Sequence, residues 1–197
     1  MTPQADSVLK LFRSTGAYLQ GHFRLTSGLH SGEYLQSALV LQHPQAAERL
    51  GRMLAAELQP LLNEKPGVVV SPALGGLIIG HEVARAVGCR FIFTERDAET
   101  KKMVLRRGFR VEPGEAAVVI EDVITTGGST QDVIETLGEA GAAVLAAGSI
   151  IDRSGGLANV GVQRVALVTL QVAAHYPAEC PLCQQGIPVV KPGSRPA

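Results

Sequence analysis

The chain has no tryptophan, and aromatics make up only 4 % of its residues, so stacking on nucleic-acid bases is a poor explanation for what it does. Cysteine is scarce too: Cys89, Cys180 and Cys183 form an odd set, too small for a disulfide scaffold. There is no excess of either charge, with 18 Lys+Arg against 18 Asp+Glu and a formal net charge of 0. That balance argues against nucleic-acid or anionic-membrane partners held by bulk positive charge, and leaves only local basic patches open. No apolar run reaches the roughly 20 residues a bilayer-spanning helix needs. The two candidates, Val68 to Gly80 and Ala140 to Ile151, are short and broken by glycine or polar residues. The opening MTPQADSVLKLF lacks a basic region followed by an apolar core, so no secretory signal is expected and the chain reads as cytoplasmic. Familiar site motifs are missing as well. There is no Gly-Lys-Ser/Thr phosphate loop, no G-x-G-x-x-G opening a helix, no G-x-S-x-G elbow and no HExxH.

What remains is a chain of 197 residues, 46 % hydrophobic and 18 % charged, which can bury one sizeable core. Asp6 or Ser7 is expected to cap a first helix, with Val8, Leu9, Leu11 and Phe12 on its apolar side and Gly16 at its end. Gly21 to Gln36 reads as short strands and turns. Between Gln45 and Leu62 the apolar residues Ala46, Leu50, Met53, Leu54, Leu58 and Leu61 recur at three- and four-residue spacing, which predicts a helix. Beyond this the pattern changes. Val68 to Val70, Arg90 to Thr94, Ala117 to Asp122, Ala143 to Ile151 and Val165 to Thr169 predict strands, separated by helices ending at Val87 and spanning Ser129 to Glu139. Apolar runs without alternation, set between helices, predict a parallel sheet covered on both faces. Ligands of such sheets bind beyond the carboxyl ends of the strands.

The segment Glu121-Asp122-Val123-Ile124-Thr125-Thr126-Gly127-Gly128-Ser129-Thr130 sits at such an end. An apolar strand finishes in two acids and passes through a Thr/Gly/Ser loop into a helix. Successive backbone amides at a helix N-terminus cradle an anion, and glycines allow it close approach. Two carboxylates would repel a phosphate unless they face another part of the same ligand, and a sugar diol fits because carboxylates accept hydroxyl protons. The loop therefore reads as a site for a ribose 5-phosphate. A plain strand–turn–helix capped by Ser129 would explain the serine but not the paired acids.

This segment resembles the phosphoribosyl-diphosphate (PRPP) motif of the type I phosphoribosyltransferases, and over most of the chain the sequence is similar to their orotate-specific branch. Phe23-x-Leu25-x-Ser27-Gly28-x-x-Ser31, the turn Ser71 to Gly76, Glu95-Arg96 and Ile151-Asp152-Arg153 carry the wider resemblance. It implies an α/β fold of that type: a central, mostly parallel sheet flanked by helices, with a small N-terminal hood (1–43), a core sheet region (60–175), a flexible basic loop and a tail (177–197). It also implies transfer of ribose 5-phosphate from PRPP to orotate in pyrimidine synthesis, with Mg²⁺ as cofactor. Residues 121–130 and Ala73 would bind PRPP, and Thr125 and Arg153 would contact orotate. Lys101 and Arg96, in the basic stretch 95–110, would act at the pyrophosphate. A homodimer sharing that loop between subunits is implied too. A purine-specific enzyme and a non-catalytic PRPP sensor are the other readings of the same motif. Family members often carry lysine where Thr26 and Gly75 stand here, which leaves open what neutralises pyrophosphate.

Cys180-Pro-Leu-Cys183 supplies half of a four-ligand zinc set. The favoured reading is a reduced pair on a surface turn, and no metal ligand is assigned. His22, His30, His43 and His81 have no ligand-like spacing, and a structural or solvated role is expected for each.

Overall fold

The computed structural model describes residues 2–25 and 27–192; Thr26 lies outside the described residues. Strands β3 (Val68–Pro72), β4 (Arg90–Arg96), β5 (Met103–Leu105), β6 (Ala116–Ile124), β7 (Ala143–Asp152) and β8 (Arg164–Thr169) form a six-stranded sheet in the order β5-β4-β3-β6-β7-β8. All its pairings are parallel except that of β5 with β4. The apolar runs are explained by burial on both faces. Val118 and Ile120 of β6 pack into one core with helices α1 (Pro3–Ser14), α3 (Pro44–Leu58) and α4 (Gly76–Val87). Ala117 and Val119 face the other core, with Val133 and Leu137 of helix α5 (Gly128–Glu139).

A second, three-stranded sheet joins β1 (Tyr18–Arg24), β2 (His30–Leu35) and β9 (Ala174–His175). Its third strand comes from the far end of the chain. Val190 adds to that junction: its carbonyl accepts from Arg24 N at 2.9 Å, and its own N–H donates to His22 O at 2.8 Å. No helix among the described residues is long and apolar enough to cross a membrane.

Local differences from expectation have local causes. The first helix begins at Pro3, capped by Thr2 Oγ1, which accepts from Ala5 N at 3.2 Å; Asp6 lies inside the first turn instead of capping it. Proline at the first helical position suits that start, since its missing N–H would be unpaired there anyway. The second long helix runs Pro44–Leu58 and tightens into a 3₁₀ turn, Gln59–Leu61, at Pro60. The short helix α2 (Ser37–Leu41) has five residues, too few to show a period.

Candidate active site

Strand β6 and helix α5 build the centre of the site. β6 carries Glu121 and Asp122 to the carboxyl end of the sheet, and the 125–127 turn feeds α5. Gly127 occupies the N-cap in the left-handed region (φ +87°), and a Cβ there would fall 2.9 Å from Val160 Cγ1. Both constraints call for glycine. No side chain caps α5, so the alternative of a plain turn capped by Ser129 is not what the structure shows. The first amides of a helix have no partner within it, so this end is set for an anion. Thr125, Thr126 and Gly128 are exposed around it and Ser129 is half-buried, while Thr130 is buried.

The two acids are held in an unusual state. Burial pushes the Glu121 carboxyl up to about 7, with the neighbouring Asp122 charge adding to the rise; the Thr130 hydroxyl, which donates to Glu121, and the Arg96 charge oppose it. Burial also raises Asp122. Neither acid has an ion-pair partner among the described residues. Val123 and Asp122 line a cavity of about 450 Å³, and Ile124 is buried behind them.

Arg153 stands across that cavity, with Thr125, Thr126, Tyr34 and Leu25 also in its wall. It directly follows β7, and its amide donates to Ile124 O at 2.8 Å, which fixes it beside the end of β6. Its Nε–H is buried with no hydrogen-bond partner among the described residues. Burial lowers its pKa, while Tyr34 and Glu33 act the other way through space. The adjacent Asp152 does not pair with it. That carboxylate is engaged by Arg164 at 2.7 Å and by the Ser154 hydroxyl at 2.6 Å. Burial raises Asp152, but these bonds outweigh it and hold the carboxyl below its ordinary value.

The turn from β3 into α4 passes close beside Asp122. Ala73 N donates to Thr94 O at 2.9 Å, and the Ala73–Leu74 peptide is cis. Helix α4, like α5, has no side-chain cap, so two open helix N-termini flank the acids. A Cβ on Gly75 would lie 2.5 Å from Asp122 Oδ1, so a longer side chain there requires Asp122 to move. The missing lysine at this position is thus matched by a close approach of the turn to the acid.

The basic stretch forms an antiparallel hairpin, β4 with β5. Arg96 reaches Asp132 of α5 at 2.8 Å, Arg107 clasps Glu95 at 2.8 and 2.9 Å, and Arg106 pairs with Asp97. Lys101 sits exposed in the turn, with φ +60° and its ammonium on Ala98 O at 2.5 Å. The structure therefore brings Arg96 near Glu121 but leaves Lys101 folded onto its own loop. A larger hollow, about 520 Å³ between α3 and α4, has charges already satisfied: Arg85 pairs with Glu82 and Arg52 with Glu48.

Sequence reasoning missed several cavity residues, including Tyr34, Gln36, Val172 and Ala174. Ala174 belongs to β9, and no local motif announces that the end of the chain returns to this wall.

Residues 37–169 match the phosphoribosyl transferase domain model. The chain is 52 % identical over 190 residues to an orotate phosphoribosyltransferase of Pelotomaculum thermopropionicum, covering 96 % of this chain and 97 % of the relative. Against the protein of the same description from Heliobacterium modesticaldum it is also 52 % identical over 190 residues, covering 96 % and 98 %. Among solved structures, orotate phosphoribosyltransferase from Aeropyrum pernix aligns with a TM-score of 0.68 at 28 % identity, over 83 % of this chain and 94 % of that one.

Proposed function

We propose, from the premise that the chain belongs to the phosphoribosyltransferases and within them to the orotate phosphoribosyltransferase family, that it transfers ribose 5-phosphate from PRPP to orotate and so serves pyrimidine synthesis. The observation that carries this reading is Arg153, whose buried Nε–H has no partner among the described residues and which lines the same cavity as the acid-ended strand. A carboxylate is the natural partner for a guanidinium, through two parallel hydrogen bonds. Orotate brings one; a neutral purine does not.

The remaining roles follow the geometry. The open amides of Gly127 to Ser129, with Thr125, Thr126 and Thr130 around them, would hold the 5-phosphate. Glu121 and Asp122 would accept protons from the ribose hydroxyls, and ionisation of Glu121 favours this. The second open helix end, at the Ala73–Gly76 turn, faces the pyrophosphate in this reading. Departure of pyrophosphate leaves positive character on the anomeric carbon, so the protein's work is positioning and charge stabilisation and no nucleophilic side chain is required. Two acids without ion-pair partners fit a hydrated Mg²⁺ held mainly by PRPP oxygens and water, with Glu121 and Asp122 nearest. When bound, that ion would supply positive charge at the pyrophosphate. Arg96 would add to it from the hairpin. Lys101 would do so once its ammonium releases Ala98 O, in the same site or in that of a second subunit of a homodimer. A cytoplasmic setting suits these substrates.

The test incubates the protein with PRPP, Mg²⁺ and one of orotate, hypoxanthine, adenine or uracil, and follows base absorbance. Turnover of orotate alone is expected. Turnover of a purine, or PRPP binding with no turnover of any base, would overturn the proposal.

A further inference from the structure

The small sheet and the tail meet at a group of side chains that the catalytic reading does not use. His22 Nε2 lies 2.9 Å from His30 Nδ1, 3.5 Å from Cys180 Sγ and 3.7 Å from Cys183 Sγ; His30 Nδ1 is 3.2 Å from Cys183 Sγ. All four ligand atoms fall within 4.8 Å of one another. His22, His30 and Cys180 are buried and Cys183 is exposed. We propose that these four residues form a tetrahedral zinc site that fastens the C-terminal segment to the β1–β2 hairpin.

Three features support it. Around a tetrahedral Zn²⁺ with Zn–N near 2.0 Å and Zn–S near 2.3 Å, ligand atoms are separated by about 3.3–3.8 Å; the four close pairs run from 2.9 to 3.7 Å, overlapping that range, and every pair lies within 4.8 Å. His22 Nδ1 lies 2.7 Å from Ile187 O, and because a carbonyl only accepts, Nδ1 carries the proton and Nε2 presents its lone pair to the cluster. That lone pair is approached by an imidazole nitrogen and two sulfurs, yet it accepts one good hydrogen bond at most. A cation at the common centre satisfies all four groups together. Two thiolates with two imidazoles is also a donor set that selects zinc over the hard cations. Binding requires each thiol to lose its proton to solvent as its S–Zn bond forms, so uptake releases protons.

The location gives the ion a structural task. His22 and His30 lie on the strands on either side of Leu25, Ser27 and Leu29, which line the cavity, as does Ala174 of β9. Clamping the tail to this hairpin fixes one wall of the base site.

The test uses the untagged full chain, purified with a non-chelating reductant and assayed for metal. About one zinc per chain is expected. After chelator stripping, Co²⁺ should bind with a thiolate-to-cobalt charge-transfer band and the intense visible bands of a tetrahedral ion. Cys183→Ser and His22→Gln should weaken Zn²⁺ binding by at least about 10-fold, and Cys89→Ser should leave it unchanged. Cys183 is exposed, so its variant is expected to fold; the cobalt spectrum of the unmodified protein decides the matter if others do not. Protein that takes up neither ion, cobalt without the thiolate band, or Cys183→Ser binding as tightly as the parent would overturn the proposal. None of these readouts depends on orotate turnover.

Discussion

The acid-and-amide site at the end of β6 and the histidine–cysteine cluster beneath the tail both gather chemically able side chains at the edge of the fold, but they are assembled in opposite ways. The first has a contiguous centre: one strand, one turn and one helix deliver residues 121–130 together, and Arg153, the Ala73–Gly76 turn and the remaining cavity wall are added around it. The second joins positions 158 residues apart, from two strands and a short tail helix. Among the described residues, the contiguous site keeps polar groups open, with two helix ends uncapped by side chains, two acids without ion pairs and an unpartnered guanidinium nitrogen. The dispersed cluster turns its groups onto one another. Open groups fit a substrate that comes and goes, whereas converging groups fit a permanent occupant.

The comparison can be broken from either side. The largest effect is expected from Arg164→Ala, which leaves Asp152 buried without its cation beside the Arg153 loop. A loss of about 3 kcal/mol is expected in denaturant unfolding, and a loss below about 1 kcal/mol would show that the pair does not hold this end of β7. Next, Arg153→Ala should raise KM for orotate by about 100-fold, the worth of a charge-assisted carboxylate contact, with KM for PRPP little changed. Equal effects on both substrates would remove its assignment.

Glu121 gives a pH-dependent effect. Its folded pKa, about 7, lies above the ordinary carboxylate value, so its neutral form favours the fold at low pH and that contribution fades as pH rises through 7. Glu121→Gln should therefore be more stable than the parent at pH 8, by roughly 1–3 kcal/mol, with the gap closing toward pH 5 in thermal melts. The same variant should flatten the rise of PRPP affinity between pH 6 and 8. Smallest is Lys101→Ala, expected to lower kcat by about 10-fold without altering stability, since the side chain touches only its own loop; unchanged kcat would exclude it from the reaction.

How much could be read beforehand follows the same division. Val68–Val69–Val70 and Val118–Val119–Ile120 declare a doubly covered sheet because both faces of each strand are buried, and the Glu121–Thr130 run declares its chemistry because its spacing is local. The hairpin at 95–110 was legible only as charge. Its strand β5 has three residues, and ion pairs such as Glu95–Arg107 organise it. His22 was opaque for a different reason. A register shift between Gln20 and Phe23 makes His22 and Phe23 consecutively buried, which breaks the alternation that would mark an inward residue. The partners of His22 then come from the other end of the chain.

The central claim is that the acids of β6 and the amides of α5 hold two parts of one sugar phosphate. A crystal structure with PRPP and Mg²⁺ tests it most directly. The account predicts ribose hydroxyls on Glu121 and Asp122 and the 5-phosphate on the amides of Gly127 to Ser129. A sugar lying the other way round, or PRPP seated away from both groups, would contradict it.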